Sequence, residues 1–167
     1  MTTPLILDES IEVDRPLDEV FSYVSAFANI AEWDPAVADA EKVTDGASRQ
    51  GSQFRIDMKA GFSLNYEITD FEPPHRMVMS VDSRFFTAHE EIRFEALANG
   101  NTSVRYIARF SFPAPVAGAA RVFPQVMDRV GKRAMEGLQS ALEDDFDTPR
   151  ASSKVALADR LVLPGLW

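Results

Sequence analysis

The chain contains no cysteine, only two histidines and two tryptophans, and no apolar run long enough to span a bilayer. Without cysteine there is no disulfide, thiolate nucleophile, cysteine-ligated zinc or iron–sulfur cluster. A membrane span needs about 20 consecutive apolar residues. The opening "MTTPLILDES" also lacks the basic flank and long apolar core of a signal peptide. These absences lead to the expectation of a cytoplasmic protein without stable membrane association. Basic residues are in short supply too: 17 Lys and Arg stand against 26 Asp and Glu, a net charge of -9. That balance argues against nucleic acid as a partner, because such binding rests on Lys and Arg neutralising phosphates. There is no G-x-S-x-G, phosphate-cradling loop or dinucleotide glycine fingerprint, so serine-hydrolase and nucleotide mechanisms have no motif to rest on. His75 lies in the turn "PPHR" and His89 is out of phase with Ile92. Neither has other ligands at zinc spacing, so no metal and no other cofactor is expected.

What is present is a succession of periodic segments. Ile11 and Val13 alternate with Glu12 and Asp14 as in a half-buried strand. Pro16 stops that strand, and Asp18 and Glu19 follow where a helix dipole favours negative charge, so a helix begins here with Val20, Phe21, Val24 and Phe27 on its apolar face. Asn29 and Asp34-Pro35 break it, leaving Trp33 in a second short helical turn. From Val43 onward strands alternate with turns. Phe54, Ile56 and Met58, then Leu64, Tyr66 and Ile68, then Met77, Met79 and Val81 each mark one dry face. Ile92 and Phe94 continue the series, and "ANGN" is a hairpin signal leading into Val104, Tyr106, Ala108 and Phe110. The result is an antiparallel meander. "FPQVMDRVGKRAMEGLQSALEDD" then places Phe123, Met127, Val130, Ala134, Leu138 and Leu142 at helical spacing, a helix of about 20 residues and about 30 Å. Gly131 and Gly137 weaken that helix by up to about 1 kcal/mol each unless close packing requires them.

The order of strand, helix pair, six-stranded meander and long carboxy-terminal helix resembles the helix-grip fold of the START / Bet v 1-like (SRPBCC) superfamily. Within it the chain is similar to the bacterial polyketide cyclase/dehydrase and lipid-transport group. The segments that carry the resemblance are "IEVDRPLDEVFSYVSAFANIAEWDPAV", "GSQFRI", "ITDFEPPHRM", "NTSVRY" and "MEGLQSALED", spread over residues 5–146. The resemblance implies an α+β fold in which a curved antiparallel sheet of about seven strands wraps around the long helix, with two short helices after the first strand. It implies a ligand-binding domain over residues 1–147. In that family the sheet and the long helix enclose a cavity, and members range from carriers to cyclases without a shared catalytic residue.

A pocket of roughly 300–1,000 Å³ is therefore expected. Its lining would be Trp33, Phe54, Ile56, Met58, Leu64, Tyr66, Ile68, Met77, Met79, Val81, Glu90, Ile92, Phe94, Val104, Tyr106 and Phe110 from the sheet side. Phe123, Met127, Val130 and Leu138 would come from the helix. The same side chains would serve equally as a filled core. Polar exceptions are few. Glu90 shares the phase of Ile92 and points inward, where a carboxylate must find a partner or raise its pKa and so become a candidate acid or base, or else reaches solvent near a strand end. Tyr66 and Tyr106 could offer hydroxyls to a ligand carbonyl or enolate, or bond a backbone acceptor. Trp33 belongs either to a pocket mouth or to packing between helix and sheet. These features suit a carrier or sensor of a small hydrophobic molecule such as a lipid, isoprenoid or aromatic polyketide. A polyketide cyclase/dehydratase using Tyr66, Glu90 and Tyr106 is the alternative, and a chaperone-cofactor-like interaction module a third reading.

The tail over residues 148–167 is a polar linker, "TPRASSK", followed by a short apolar segment with Val155, Leu157, Leu161, Val162, Leu163, Leu166 and Trp167. Burying a Leu or Trp stabilises by roughly 1.5–3 kcal/mol, enough in sum to dock the tail on its own domain or on a second subunit, giving a homodimer. Deleting residues 148–167 should then lower the thermal midpoint or dissociate a dimer in sedimentation. No change in either measurement would refute docking.

Overall fold

Strand β1 (Leu5–Val13) is longer than its clearest alternation, beginning at Leu5 rather than Ile11. Helix α1 (Leu17–Ser25) follows directly after Pro16, with Asp18 and Glu19 in its first turn. A 3₁₀ turn (Phe27–Asn29) and helix α2 (Ile30–Trp33) complete the helical insertion. Six strands come next: β2 (Val37–Lys42), β3 (Gln53–Met58), β4 (Ser63–Glu72), β5 (Arg76–Asp82), β6 (Thr87–Ala96) and β7 (Thr102–Ser111). The long helix α3 (Phe123–Asp144) closes the series, with Pro124 in its first turn, where a missing N–H is harmless. This computed structural model describes residues 4–114 and 123–144. The tail over 148–167, the end of the expected domain at 147 and the expected homodimer contact lie outside the described residues.

All strands join one antiparallel sheet in the order β1-β7-β6-β5-β4-β3-β2, curled into a half-barrel. The architecture is the α+β helix-grip expected. Strand β2 has no legible pattern, since "VADAEK" buries only Val37 and after it consists of poor strand formers. Pairing with β3 makes it a strand, through Ala40 opposite Ile56 and Glu41 opposite Arg55. In β4 a register shift between Ile68 and Asp70 interrupts the alternation. Phe71 thereby returns to the inner face and meets the Phe21 ring at 5.4 Å. Phe21 also stands edge-on to Phe94 at 5.2 Å, so one aromatic of α1 ties it to both β4 and β6. The "ANGN" hairpin closes as expected, with Gly100 at φ 87 and the Leu97 N–H donating to the Asn101 carbonyl.

Helix α3 packs on β1 and α2. Its buried stripe is Gly131, Met135, Leu138 and Leu142, with Met127 and Ala134 half-buried. Val130, expected to face inward, is a correction: it is 36% exposed. The reason is Gly131, which brings the helix down onto β1 at Leu7 and Glu9 and so turns the preceding residue toward solvent. The Phe123 side chain is outside the described set. At the far end Arg15 donates from Nε to the Leu142 carbonyl at 3.0 Å, and Gln139 donates to the Glu12 carbonyl at 3.0 Å. The first of these satisfies a carbonyl that the helix end leaves open.

Both helix glycines are explained by close approach. A Cβ on Gly131 would lie 3.3 Å from a methyl of Leu7, a contact that a side chain can relieve. On Gly137 it would lie 1.9 Å from the backbone carbonyl oxygen of Trp33, which cannot move without α2. An ordinary helical Gly→Ala gains up to about 1 kcal/mol. Here Gly137→Ala should instead destabilise by roughly 2 kcal/mol or more in thermal or denaturant unfolding, while Gly131→Ala stays within about 1 kcal/mol of the parent. Equal effects of the two substitutions would refute the assignment.

Candidate functional site

The inner face of the sheet is apolar almost throughout. Phe54, Ile56, Leu64, Ile68, Met77, Met79, Val81, Ile92, Phe94, Val104 and Phe110 are all buried there, and Met58 is half-buried. Trp33 and Phe27 cover this face from the helical insertion; the Phe27 ring meets Phe54 at 5.7 Å and Tyr66 at 4.9 Å. Three polar side chains interrupt the surface together. Glu90 occupies the middle of β6, opposite Met79 on β5 and Ala108 on β7, and is 4% exposed. Tyr66 reaches across from β4, and its hydroxyl donates to Glu90 Oε1 at 3.2 Å. The Tyr106 phenol on β7 is directed at the same carboxyl. Period-two alternation puts all three on one face, and sheet curvature makes them converge.

Burial dominates the electrostatics of this cluster. It pushes the Glu90 carboxyl up to about 7, against the opposing effect of the hydrogen bonds from Tyr106 and Tyr66; the charge of Asp34 adds to the rise. Burial, and then the Glu90 charge, hold both phenols well above the ordinary tyrosine range, so both remain protonated donors. Asp34 follows Trp33 at the end of α2 and accepts the Ala36 N–H at 2.8 Å. Its carboxyl is raised by burial, with the Ala36 bond and Lys59 acting the other way. Among the described residues no buried side-chain nitrogen or oxygen lacks a hydrogen-bond partner.

The candidates Tyr66, Glu90 and Tyr106 are thus brought together, and Glu90 does not reach solvent at a strand end. His75 and His89 are both exposed and lie away from the inner face. Asp34 was not singled out from the sequence, where it reads as a helix-breaking partner of Pro35; its charge acts on Glu90 from a segment distant in the chain. Glu9 was missed as well. It alternates in phase with Leu7 and Ile11, faces Tyr106 across the β1–β7 ladder and is half-buried. A separate open cleft of about 440 Å³ lies at the strand ends, between Arg84, Phe86, Thr87, Ser111 and Pro113. It shares no residue with the lining expected for an interior pocket.

The chain matches the family described as polyketide cyclase / dehydrase and lipid transport over residues 5–143. Comparison with curated proteins gives no match. Among solved structures, a START superfamily protein from Mycobacterium smegmatis superposes with a TM-score of 0.70 at 12% identity, over 82% of this chain and 96% of its own. The Zhui aromatase/cyclase from a Streptomyces strain gives 0.71 at 15% identity, over 84% and 94%. The di-domain ARO/CYC BexL gives 0.67 at 16% identity, over 86% and 51%. At such identities the likeness is one of fold.

The buried carboxyl makes stability depend on pH. Glu90 titrates near 4.5 when unfolded and about 7 when folded. Between those values the unfolded chain has released a proton that the native state still holds, so stability falls as pH rises and levels off above about 7. The displacement corresponds to about 3 kcal/mol. Glu90→Gln, which stays neutral, should therefore gain on the parent in thermal midpoint as pH rises from about 4.5 to 7, with a constant difference above that. A difference independent of pH would show that Glu90 is not held neutral by burial.

Proposed function

Because the chain belongs to the polyketide cyclase / dehydrase and lipid-transport family, we propose that its inner sheet face binds a small hydrophobic molecule, in a carrier or sensor role, with Glu90, Tyr66 and Tyr106 as the polar anchor. The observation that supports this reading is a buried cluster of three polar side chains on a largely apolar concave face. Ligand sites have this composition: broad apolar lining supplies affinity and a few placed polar groups supply orientation. Tyr106 is the half-buried member of the cluster, while Glu90 and Tyr66 are 4% and 6% exposed.

A second reading, acid–base catalysis of the cyclase/dehydratase kind, is favoured by one observation. A carboxyl that titrates near 7 beside two phenols is poised to exchange a proton at neutral pH. Enolate stabilisation, however, needs donors aimed at the substrate, and both phenol protons are directed at Glu90 while it is ionised. Binding is therefore the stronger reading.

Native mass spectrometry of protein purified from its own host should reveal a co-purifying small molecule, and the neutral dye Nile red should bind saturably with Kd of order 1 μM. Tyr106→Phe should change dye affinity by no more than about 1–1.5 kcal/mol, the worth of one neutral hydrogen bond. Absence of both the molecule and saturable dye binding would overturn the binding reading. Turnover of a polyketone thioester that falls about 10²-fold in Tyr106→Phe would favour the enzyme.

A further inference from the structure

The cluster on the inner face has a polarity of its own. Tyr66 donates its hydroxyl hydrogen to Glu90 Oε1, and the Tyr106 hydroxyl is directed at the same carboxyl. When Glu90 is ionised, what the three groups leave for a ligand is a set of acceptors: carboxylate oxygens and phenol lone pairs. One further carboxylate acts on all three. The Asp34 charge acts on Glu90, Tyr66 and Tyr106 alike. Glu9 is paired with Tyr106 across the β1–β7 ladder and is half-buried. The nearby cations act elsewhere, Lys59 on Asp34 and Lys132 on Glu9. Among the described residues none forms an ion pair with Glu90.

We propose that the ligand of this site is a hydrophobic molecule bearing a protonated nitrogen, an amphiphilic amine rather than a fatty acid or another anionic lipid. The inference rests on the reading that this face is a ligand site, and it names the chemistry of the ligand. Burying a carboxylate without a counter-charge is costly in an apolar setting, and one partner cation both satisfies its lone pairs and offsets the desolvation. An ammonium group brings that charge and up to three donors to a site that presents acceptors. A second carboxylate would instead add like charge to Glu90 and Asp34. A neutral alcohol can donate one hydrogen bond but leaves the charge uncompensated.

Titration calorimetry with decylamine, 1-decanol and decanoic acid, matched in chain length, separates these cases. Salt of about 0.3 M screens attraction of the amine to the acidic surface, where the Debye length is only a few ångströms. At about pH 8, where Glu90 is ionised, the amine should bind at least about 10-fold tighter than the alcohol, and the acid weakest. The amine-to-alcohol ratio should fall toward one at about pH 5.5, where Glu90 holds its proton but the amine remains charged. It should fall likewise at the higher pH in Glu90→Gln. The pH series on the unaltered protein decides the matter even where that variant fails to fold. An acid that binds as well as the amine overturns the inference while leaving the binding reading intact, as does an amine preference that is unchanged by pH or survives Glu90→Gln. Failure of all three probes to bind overturns both.

Discussion

Strands β1 and β2 are consecutive in the chain, yet they form opposite edges of one sheet. Residues 14–36 must therefore cross from edge to edge, and their course determines what covers the inner face. The crossing is secured at a backbone contact: the Trp33 carbonyl occupies the place where any side chain at position 137 would begin. No larger residue could stand at Gly137 without displacing α2. The same contact holds Trp33 over the sheet and places Asp34, the next residue, where its charge acts on Glu90. A missing Cβ on the last helix thus bears on the electrostatics of a strand far away in sequence.

The second determinant is burial of charge. Glu90 sits where apolar neighbours on both sides, Met79 and Ala108, provide no solvation. In such surroundings a carboxylate is tolerated only with donors, and the phenols of Tyr66 and Tyr106 are those available. Each phenol is held protonated by its own burial and by the carboxylate it faces. The three groups are best regarded as one unit, in which removing any member shifts the proton affinity of the others. Elsewhere the outward alternates of the same strands carry ordinary exposed ion pairs, such as Asp8 with Arg105, which contribute little to stability.

Much of this was legible from the sequence wherever the relevant information is local. Alternation in β3 through β7 separates inward from outward residues without knowledge of strand partners, because successive side chains point to opposite faces whatever lies beside them. Glu90, Tyr66 and Tyr106 could be assigned to the inner face on that ground alone. Local pattern failed where pairing supplied what propensity did not, as in β2, and where one glycine altered the contact of a whole helix, as with Val130. It failed also for Asp34 and Glu9, whose surroundings are made by segments distant in the chain.

The sequence by itself determined the order of elements apart from β2, the apolar character of the inner face and the absence of cysteine chemistry, since composition and periodicity are properties of neighbouring residues. Tertiary structure alone decided that Tyr66, Glu90 and Tyr106 meet at one carboxyl and that Asp34 adds its charge to them. It also decided that Gly137 is a docking point for Trp33 rather than a weak place in a helix. Those outcomes depend on strand order, sheet curvature and the dielectric around a group, which arise only when residues far apart in sequence are brought within a few ångströms of one another.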